Sequence, residues 1–212
     1  MAAGADAGRN RVPAAQRRLI VILLVAVAAA NIAQPYPDLA PLQHGPTVLA
    51  ALAAPWALGR WPLSTRSVVG IWLFLMLHTV GARWIYSHVP YDAWVLALTG
   101  HDISGTFGLG RNGYDRLVHF AFGALLTLPI AEIAGRRGMG RRWSLAFAFA
   151  VIGLGSAVYE MFEWLLTIVA AGETADYYNG QQGDVWDAQK DMACAQVGSA
   201  CALAAARFSS RR

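Results

Sequence analysis

Three carboxylates, Asp184, Asp187 and Asp191, stand at the head of an apolar run near the end of the 212-residue chain. Offsets of three and seven residues place them on one face of a helix. Two earlier apolar runs carry matching sets: Asp115 with His119, four apart, and Glu160 with Glu163, three apart. Carboxylates with an imidazole and no thiolate among them suit a divalent cation, Mg²⁺, Mn²⁺, Zn²⁺ or iron. Paired Glu-x-x-Glu and Asp-x-x-Asp steps fit the bracketing of two ions that phosphoryl chemistry uses. The same acids with His119 also fit a proton relay. Asp115, His119, Glu160, Glu163, Asp184 and Asp187 are therefore the candidate catalytic residues. Those six, with Asp191 and His78, are the candidate metal ligands. His78 sits alone in its run, where a histidine that packs helices together is as good a reading as a ligand.

A salt-bridge lock is the competing reading. Arg116 and Lys190 are natural partners for the acids, with Arg83 and Arg111 in reach along the sequence. Six acids against four bases leave surplus negative charge, which must be protonated or share a cation. No nucleophilic Ser or Cys is paired with a base near these positions, which disfavours a serine or thiol triad.

The elements that carry these residues are membrane helices by composition. The chain is 56% hydrophobic and only 14% charged, against roughly a quarter charged in a soluble domain. Six apolar runs are read as spans: Leu19–Ile32, Thr47–Leu58, Ser67–Tyr86, Arg116–Ala134, Trp143–Ala170, and Asp184 to Ala206. The second is the weakest, being short and interrupted by Pro55. Residues 87–114 are read as a long loop with a short apolar piece, Trp94–Leu98, that is re-entrant or interfacial. With the N-terminus in the cytoplasm, 13 of the 17 Lys and Arg residues fall inside, all but Arg83, Arg111, Arg116 and Lys190. Of the 13 acids only Asp6 and Glu132 fall there. That asymmetry is what the positive-inside rule predicts, so the basic balance reports topology and not nucleic-acid binding.

The expected fold class is all-α: a polytopic membrane bundle of six transmembrane helices with both termini cytoplasmic. Residues 1–18 form a disordered basic tail, 19–206 a single transmembrane domain, and 207–212 a second basic tail. The Ala28-Ala29-Ala30 stretch leaves a cleaved signal as an alternative for residues 19–33. Cys194 and Cys201 lie seven apart on one helix, about 10 Å along its axis, too far for a disulfide. Gly108 to Gly113 matches G-x-G-x-x-G in spacing, but no strand precedes it and a turn is the reading. Gly153, Gly155, Ser156 and Ala157 give the small-residue spacing of close helix packing.

On this topology every candidate residue falls in the outer half of the membrane. Ionisable groups in spans cost at least ~2.5–3.5 kcal/mol each to insert, so they normally face a cavity or a partner.

Longer motifs carry a family resemblance from about His78 to Ala200. They are His78-Thr79-Val80-Gly81-Ala82 followed by Tyr86 and Pro90, RNGYDRLVHF (Arg111–Phe120), YEMFEW (Tyr159–Trp164) and QGDVWDAQKDM (Gln182–Met192). On these the chain resembles the YjdF-like group of bacterial inner-membrane proteins. Arg83 departs from the polar aromatic that the pattern implies there. The Asp-x-x-x-His-Phe and Asp-x-x-x-Asp steps are more loosely similar to VanZ-like membrane proteins. Asp184-x-x-Asp187 with Asp191 also resembles the aspartates of the alcohol phosphotransferases that form phospholipids, although the Gly and Ala-Arg positions of that motif are missing. The YjdF resemblance implies a multi-pass protein of the bacterial inner membrane and brings no activity with it; function rests on the site.

Two functional classes stand beside the structural lock. One is a metal-dependent enzyme on a lipid-linked or phosphate-bearing substrate at the outer face. The other is a transporter or an ion- or proton-binding protein. Membrane lipid, a lipid-linked or small-molecule substrate and a divalent metal ion are the expected partners, with no nucleic acid.

Overall fold

The structure, a computed structural model, describes residues 11–169 and 182–209. Eight helices lie among them: α1 (Ala14–Ala30), α2 (Ala40–Arg60), α3 (Thr65–Arg83), α4 (Tyr91–Thr99), α5 (Ile103–Phe107), α6 (Tyr114–Arg136), α7 (Arg141–Val169) and α8 (Asp187–Ser209). Among the described residues there is no strand. Three helices, α3, α6 and α7, are each long and apolar enough to cross a membrane.

Local sequence sets the helix ends. Ser64 caps α3, its hydroxyl accepting from the Ser67 amide, the usual remedy for an unpaired first-turn donor. At the far end of α6 the chain turns at Gly138, whose φ of 90° is open to glycine. The Met139 amide then donates back to the Ala134 carbonyl at 3.2 Å, the six-to-one bond of a Schellman ending.

Several boundaries differ from those read in the sequence. The first helix begins at Ala14, inside the stretch assigned to a tail. Gln16 explains this: its side-chain amide is buried and donates to the Leu63 carbonyl at 3.0 Å, docking the helix start onto the α2–α3 connection. The second run is not broken at Pro55, because α2 continues through both Pro46 and Pro55. A proline removes its own donor but need not end a helix whose neighbours hold it on both sides, and α2 packs on α1 and α3. The long loop contains two helices, α4 and α5. Asp92 organises the second, accepting from the Ile103 and Ser104 amides at 3.1 and 3.0 Å. The last helix starts at Asp187 and not Asp184, so Asp184 precedes it. Residues 170–181, which join the fifth and sixth apolar runs and include Glu173 and Asp176, lie outside the described residues.

The bundle centres on α6, which packs against α3, α7 and most extensively α8. The α6–α8 crossing is made by two glycines facing opposite backbones. A Cβ on Gly123 would stand 1.9 Å from the Ala195 carbonyl oxygen, and one on Gly198 would stand 2.1 Å from that of Phe120. Across the same crossing the Thr127 hydroxyl donates to Ser199 at 2.7 Å.

Helix α7 is built inside out relative to a soluble helix. Its buried residues are Ser144, Ala148, Ile152, Ser156, Glu160 and Glu163, spaced by fours and a three. Its exposed faces carry Phe147, Leu154, Val158, Met161, Trp164 and Leu165. Small and polar groups turned inward with large apolar groups outward is the pattern of a helix bathed in lipid.

Candidate metal centre

The loop ahead of α6 and the loop ahead of α8 are tied together before the site begins. The Asn112 amide donates to the Gln182 side chain at 2.9 Å, and Gln182 donates back to the Asn112 carbonyl at 3.1 Å. The Asn112 side chain also donates to the Val89 carbonyl at 2.9 Å, and the Gly113 amide to the Tyr91 hydroxyl at 2.9 Å. Much of the Arg111–Phe120 motif is thus a clamp that fixes where α6 starts relative to α3 and α8.

Above the start of α6 and α8 lies an ion-pair layer. Arg111 and Asp187 are hydrogen-bonded, as are Arg116 and Asp184. Arg116 also lies 3.4 Å from Asp187, and Lys190 lies 2.6 Å from Asp184. The Asp184 carboxyl is held down at about 2, chiefly by the Lys190 hydrogen bond, with the Trp186 amide and Arg116 adding to it. The salt-bridge reading therefore holds for two of the candidate residues. Asp184 and Asp187 spend their oxygens on arginine and lysine.

Below that layer the remaining acids meet without a cation. Asp115 and His119 on α6, Glu160 and Glu163 on α7, and Asp191 on α8 are all buried. His119 Nε2 stands 3.4 Å from Glu160 Oε1 and 3.8 Å from Asp115 Oδ1. Ligand-capable atoms of Asp115, His119 and Asp191 all lie within 4.8 Å of one another. Among the described residues no lysine or arginine pairs with any of these four acids. Asp191 is only 2% exposed, and its Oδ1 has no hydrogen-bond partner; Glu160 Oε1 makes none either. Buried polar atoms are rarely left so, and each calls for an explanation.

His119 is oriented as a ligand would be. Its Nδ1 lies 3.5 Å from the Ser156 hydroxyl, leaving Nε2 to face the carboxylates. The Tyr159 ring meets the imidazole edge-on at 5.7 Å between centroids. Groups behind the imidazole that fix its tautomer and tilt are the usual second layer of a metal site.

Two spaces flank the cluster. A cavity of about 160 Å³ is lined by Phe74, Val118 and Phe122 together with His78, Asp115 and His119. A wider cleft of about 570 Å³ between α7 and α8 is lined by Glu160, Glu163, Asp187 and Met192. Glu163 belongs to this cleft and lies outside the group of three mutually close ligands.

His78 reaches the cavity from the opposite wall but is already engaged. Its Nε2 is 3.0 Å from the Gln43 carbonyl, so that nitrogen carries the proton and Nδ1 accepts from the Tyr86 hydroxyl. Tyr86 gets there by folding back over α3, with Ile85 and Tyr86 at φ of 44° and 56°. Such angles are strained for bulky residues. The space is given by Gly81, where a Cβ would come within 2.7 Å of the Tyr86 ring. The His78…Gly81…Tyr86 spacing is thus one device. Tyr86→Phe is expected to leave a buried imidazole nitrogen unpaired, at about 1–3 kcal/mol, read as a lower melting temperature in detergent; an unchanged value would show that the hydroxyl is not needed. Arg83, the departure from the family pattern, donates to the Ala30 and Ile32 carbonyls at 2.5 and 2.9 Å and closes the end of α1.

The structure brings together the three helices that carry the candidate residues, and it adds roles for Tyr86, Ser156, Tyr159 and the glycines Gly81, Gly123 and Gly198 that were not read from the sequence. Tyr86 and Gly81 lie inside a motif already noted. Nothing about Gly123 or Gly198 in the sequence distinguishes them from other glycines in apolar runs.

No solved structure matches the chain. Over 144 residues it is 38% identical to "Inner membrane protein YjdF" of Escherichia coli (strain K12). The match covers 66% of this chain and 64% of that relative, so the chain spans just under two thirds of its length. The family described as "Predicted membrane protein (DUF2238)" matches residues 15–212. With three helices able to cross a bilayer, the chain is an integral protein of the inner membrane, and it belongs to the DUF2238 family.

Proposed function

We propose that this protein is a six-span inner-membrane enzyme that holds a divalent cation between α6, α7 and α8 and acts on a phosphate-bearing, lipid-linked substrate at the outer face. One observation carries the reading. Asp115, His119 and Asp191 offer ligand atoms within 4.8 Å of one another, and the buried Asp191 Oδ1 has no partner among the described residues. Ligands of a single ion at about 2.0–2.2 Å lie about 3–4 Å apart, so a set within 4.8 Å needs to close by at most about 1–2 Å. Four buried acids with no lysine or arginine paired to them among the described residues are also relieved by two positive charges.

The donor set, two or three carboxylate oxygens and one imidazole nitrogen, suits Zn²⁺, Mn²⁺ or Fe²⁺ better than Mg²⁺. Glu160 lines the open cleft, with its buried Oε1 3.4 Å from His119 Nε2, and its carboxylate is the group proposed to accept a proton from water or a substrate hydroxyl. A cation there supplies charge for a phosphoryl oxygen. Arg111 and Arg116, tied to Asp187 and Asp184, hold the site's roof. Metal analysis of the purified protein tests the reading: one equivalent of a transition metal supports it, and none after growth in metal-replete medium overturns it.

In the proposed topology α1, α2 and α8 complete the six spans, the basic tails and the Arg136–Arg142 turn face the cytoplasm, and the cluster faces out. In a background with Cys194 and Cys201 replaced by Ala, Val185→Cys is expected to react with an impermeant thiol reagent in intact cells. Met139→Cys is expected to react only after the membrane is opened. The reverse pattern would overturn the orientation and the outer-face substrate with it.

A further inference from the structure

At the end of the bundle opposite the metal cluster, α7 begins and α8 finishes side by side around a groove of about 840 Å³. Its lining is layered. Arg141, Arg142 and Arg207 surround the mouth, and Leu145, Ala146, Phe149 and Leu203 line the wall below. The layering follows from helical spacing: Arg141, Leu145 and Phe149 repeat every four residues on α7, and Leu203 and Arg207 do so on α8.

Among the described residues neither Arg141 nor Arg142 forms an ion pair. The nearest acid along α6, Glu132, is taken by Arg136 at 2.7 Å and by the Ser64 and Ser67 hydroxyls. The first turn of α7 has no acidic residue, so the positive end of a 29-residue helix adds to the three guanidinium groups. Trp143, 74% exposed, sits at the same level, where an indole marks the boundary between lipid and water.

We infer that this groove is a binding site for an anionic phospholipid, its phosphodiester held by Arg141, Arg142 and Arg207 and an acyl chain lying along Leu145, Phe149 and Leu203. An anionic head over apolar chains repeats the groove's own order of charge over hydrocarbon. A zwitterionic lipid brings its own cation to a mouth where Arg141 and Arg142 have no ion pair among the described residues, and a free phosphate leaves the apolar wall uncovered. The site is independent of the metal cluster, and its failure leaves that reading intact.

Native mass spectrometry of the full-length protein tests this, with dioleoyl phosphatidylglycerol and dioleoyl phosphatidylcholine supplied together. Retention of phosphatidylglycerol is expected over phosphatidylcholine. It should fall about a hundredfold in the Arg141→Gln/Arg142→Gln/Arg207→Gln variant, since each arginine near an anionic lipid is worth about a factor of five. Arg17→Gln/Arg18→Gln, which removes two basic residues elsewhere, should leave it unchanged. Should the triple variant fail to fold, Arg142→Gln alone is expected to show a severalfold loss, and Arg142→Lys to restore most of it. Equal retention of both lipids, equal loss in the Arg17/Arg18 control, undiminished binding in the triple variant (or in Arg142→Gln where that replaces it), or displacement of the lipid by millimolar inorganic phosphate would each overturn the assignment.

Discussion

On the proposed reading, Asp191→Asn is expected to abolish metal retention by the purified protein while leaving it folded and inserted. Asp191 lies on the first turns of α8, 2% exposed, and its Oδ1 makes no hydrogen bond. Among the described residues that oxygen therefore has no hydrogen bond for an amide of the same shape to break. As a ligand it contributes charge, which the amide lacks. Loss of outer-layer partners alone lowers metal affinity about 10–100-fold, so loss of a ligating carboxylate should exceed that. Asp187→Asn is the opposite case. Asp187 is bonded to Arg111 and lies 3.4 Å from Arg116, so its neutralisation takes a carboxylate from two partly buried arginines. Breaking such a pair from one side costs about 3 kcal/mol. Metal content by elemental analysis and melting temperature in detergent, measured on both variants, separate the two roles. If Asp191→Asn keeps its metal, or loses stability as Asp187→Asn does, the cluster is a structural lock and the enzymatic reading falls with it.

Gly123→Leu should prevent the bundle from assembling. The added Cβ alone would sit 1.9 Å from the Ala195 carbonyl oxygen and 2.7 Å from the Ser199 amide nitrogen. Both are backbone atoms of a helix and cannot step aside singly. Relief requires α6 and α8 to separate, which parts Asp115 and His119 from Asp191 and breaks the Thr127–Ser199 hydrogen bond. Overpacking a core usually costs about 1–3 kcal/mol; a clash between two helix backbones with a full leucine to place should exceed that. Gly153→Ala is the matched control. Its Cβ would meet the end of the Gln196 side chain at 2.0 Å, and that group can swing away. Size-exclusion profiles in detergent should show a monodisperse Gly153→Ala protein and an aggregated or absent Gly123→Leu protein. Equal behaviour of the two would show that the α6–α8 contact is looser than described.

The sequence alone determined the class of this protein and the neighbourhood of its site. Membrane residence follows from apolar runs scarce in charge, because a bilayer rejects unpaired ionisable groups and leaves few ways to write a span. Family membership follows from the long motifs around Arg111, Tyr159 and Gln182. The meeting of Asp115, His119, Glu160 and Asp191 was legible too, since helical spacing fixes which side chains share a face and burial cost turns those faces toward one another.

The division of labour among those acids was decided by tertiary structure. Asp184, Asp187 and Asp191 share a spacing pattern that treats them alike. Only the start of α8 at Asp187, and the reach of Arg111 from the loop ahead of α6 and of Arg116 from α6 itself, puts the first two in an ion-pair layer and leaves the third bare. The same holds for His78, whose two nitrogens are claimed by Gln43 and by Tyr86 through a fold-back at Gly81. The course of α2 through Pro55 was likewise set by its neighbours and not by its own residues. Spacing along a chain specifies direction around a helix. It carries no record of which partner arrives from 70 residues away, and partnership is what separates a structural carboxylate from one free to hold a metal.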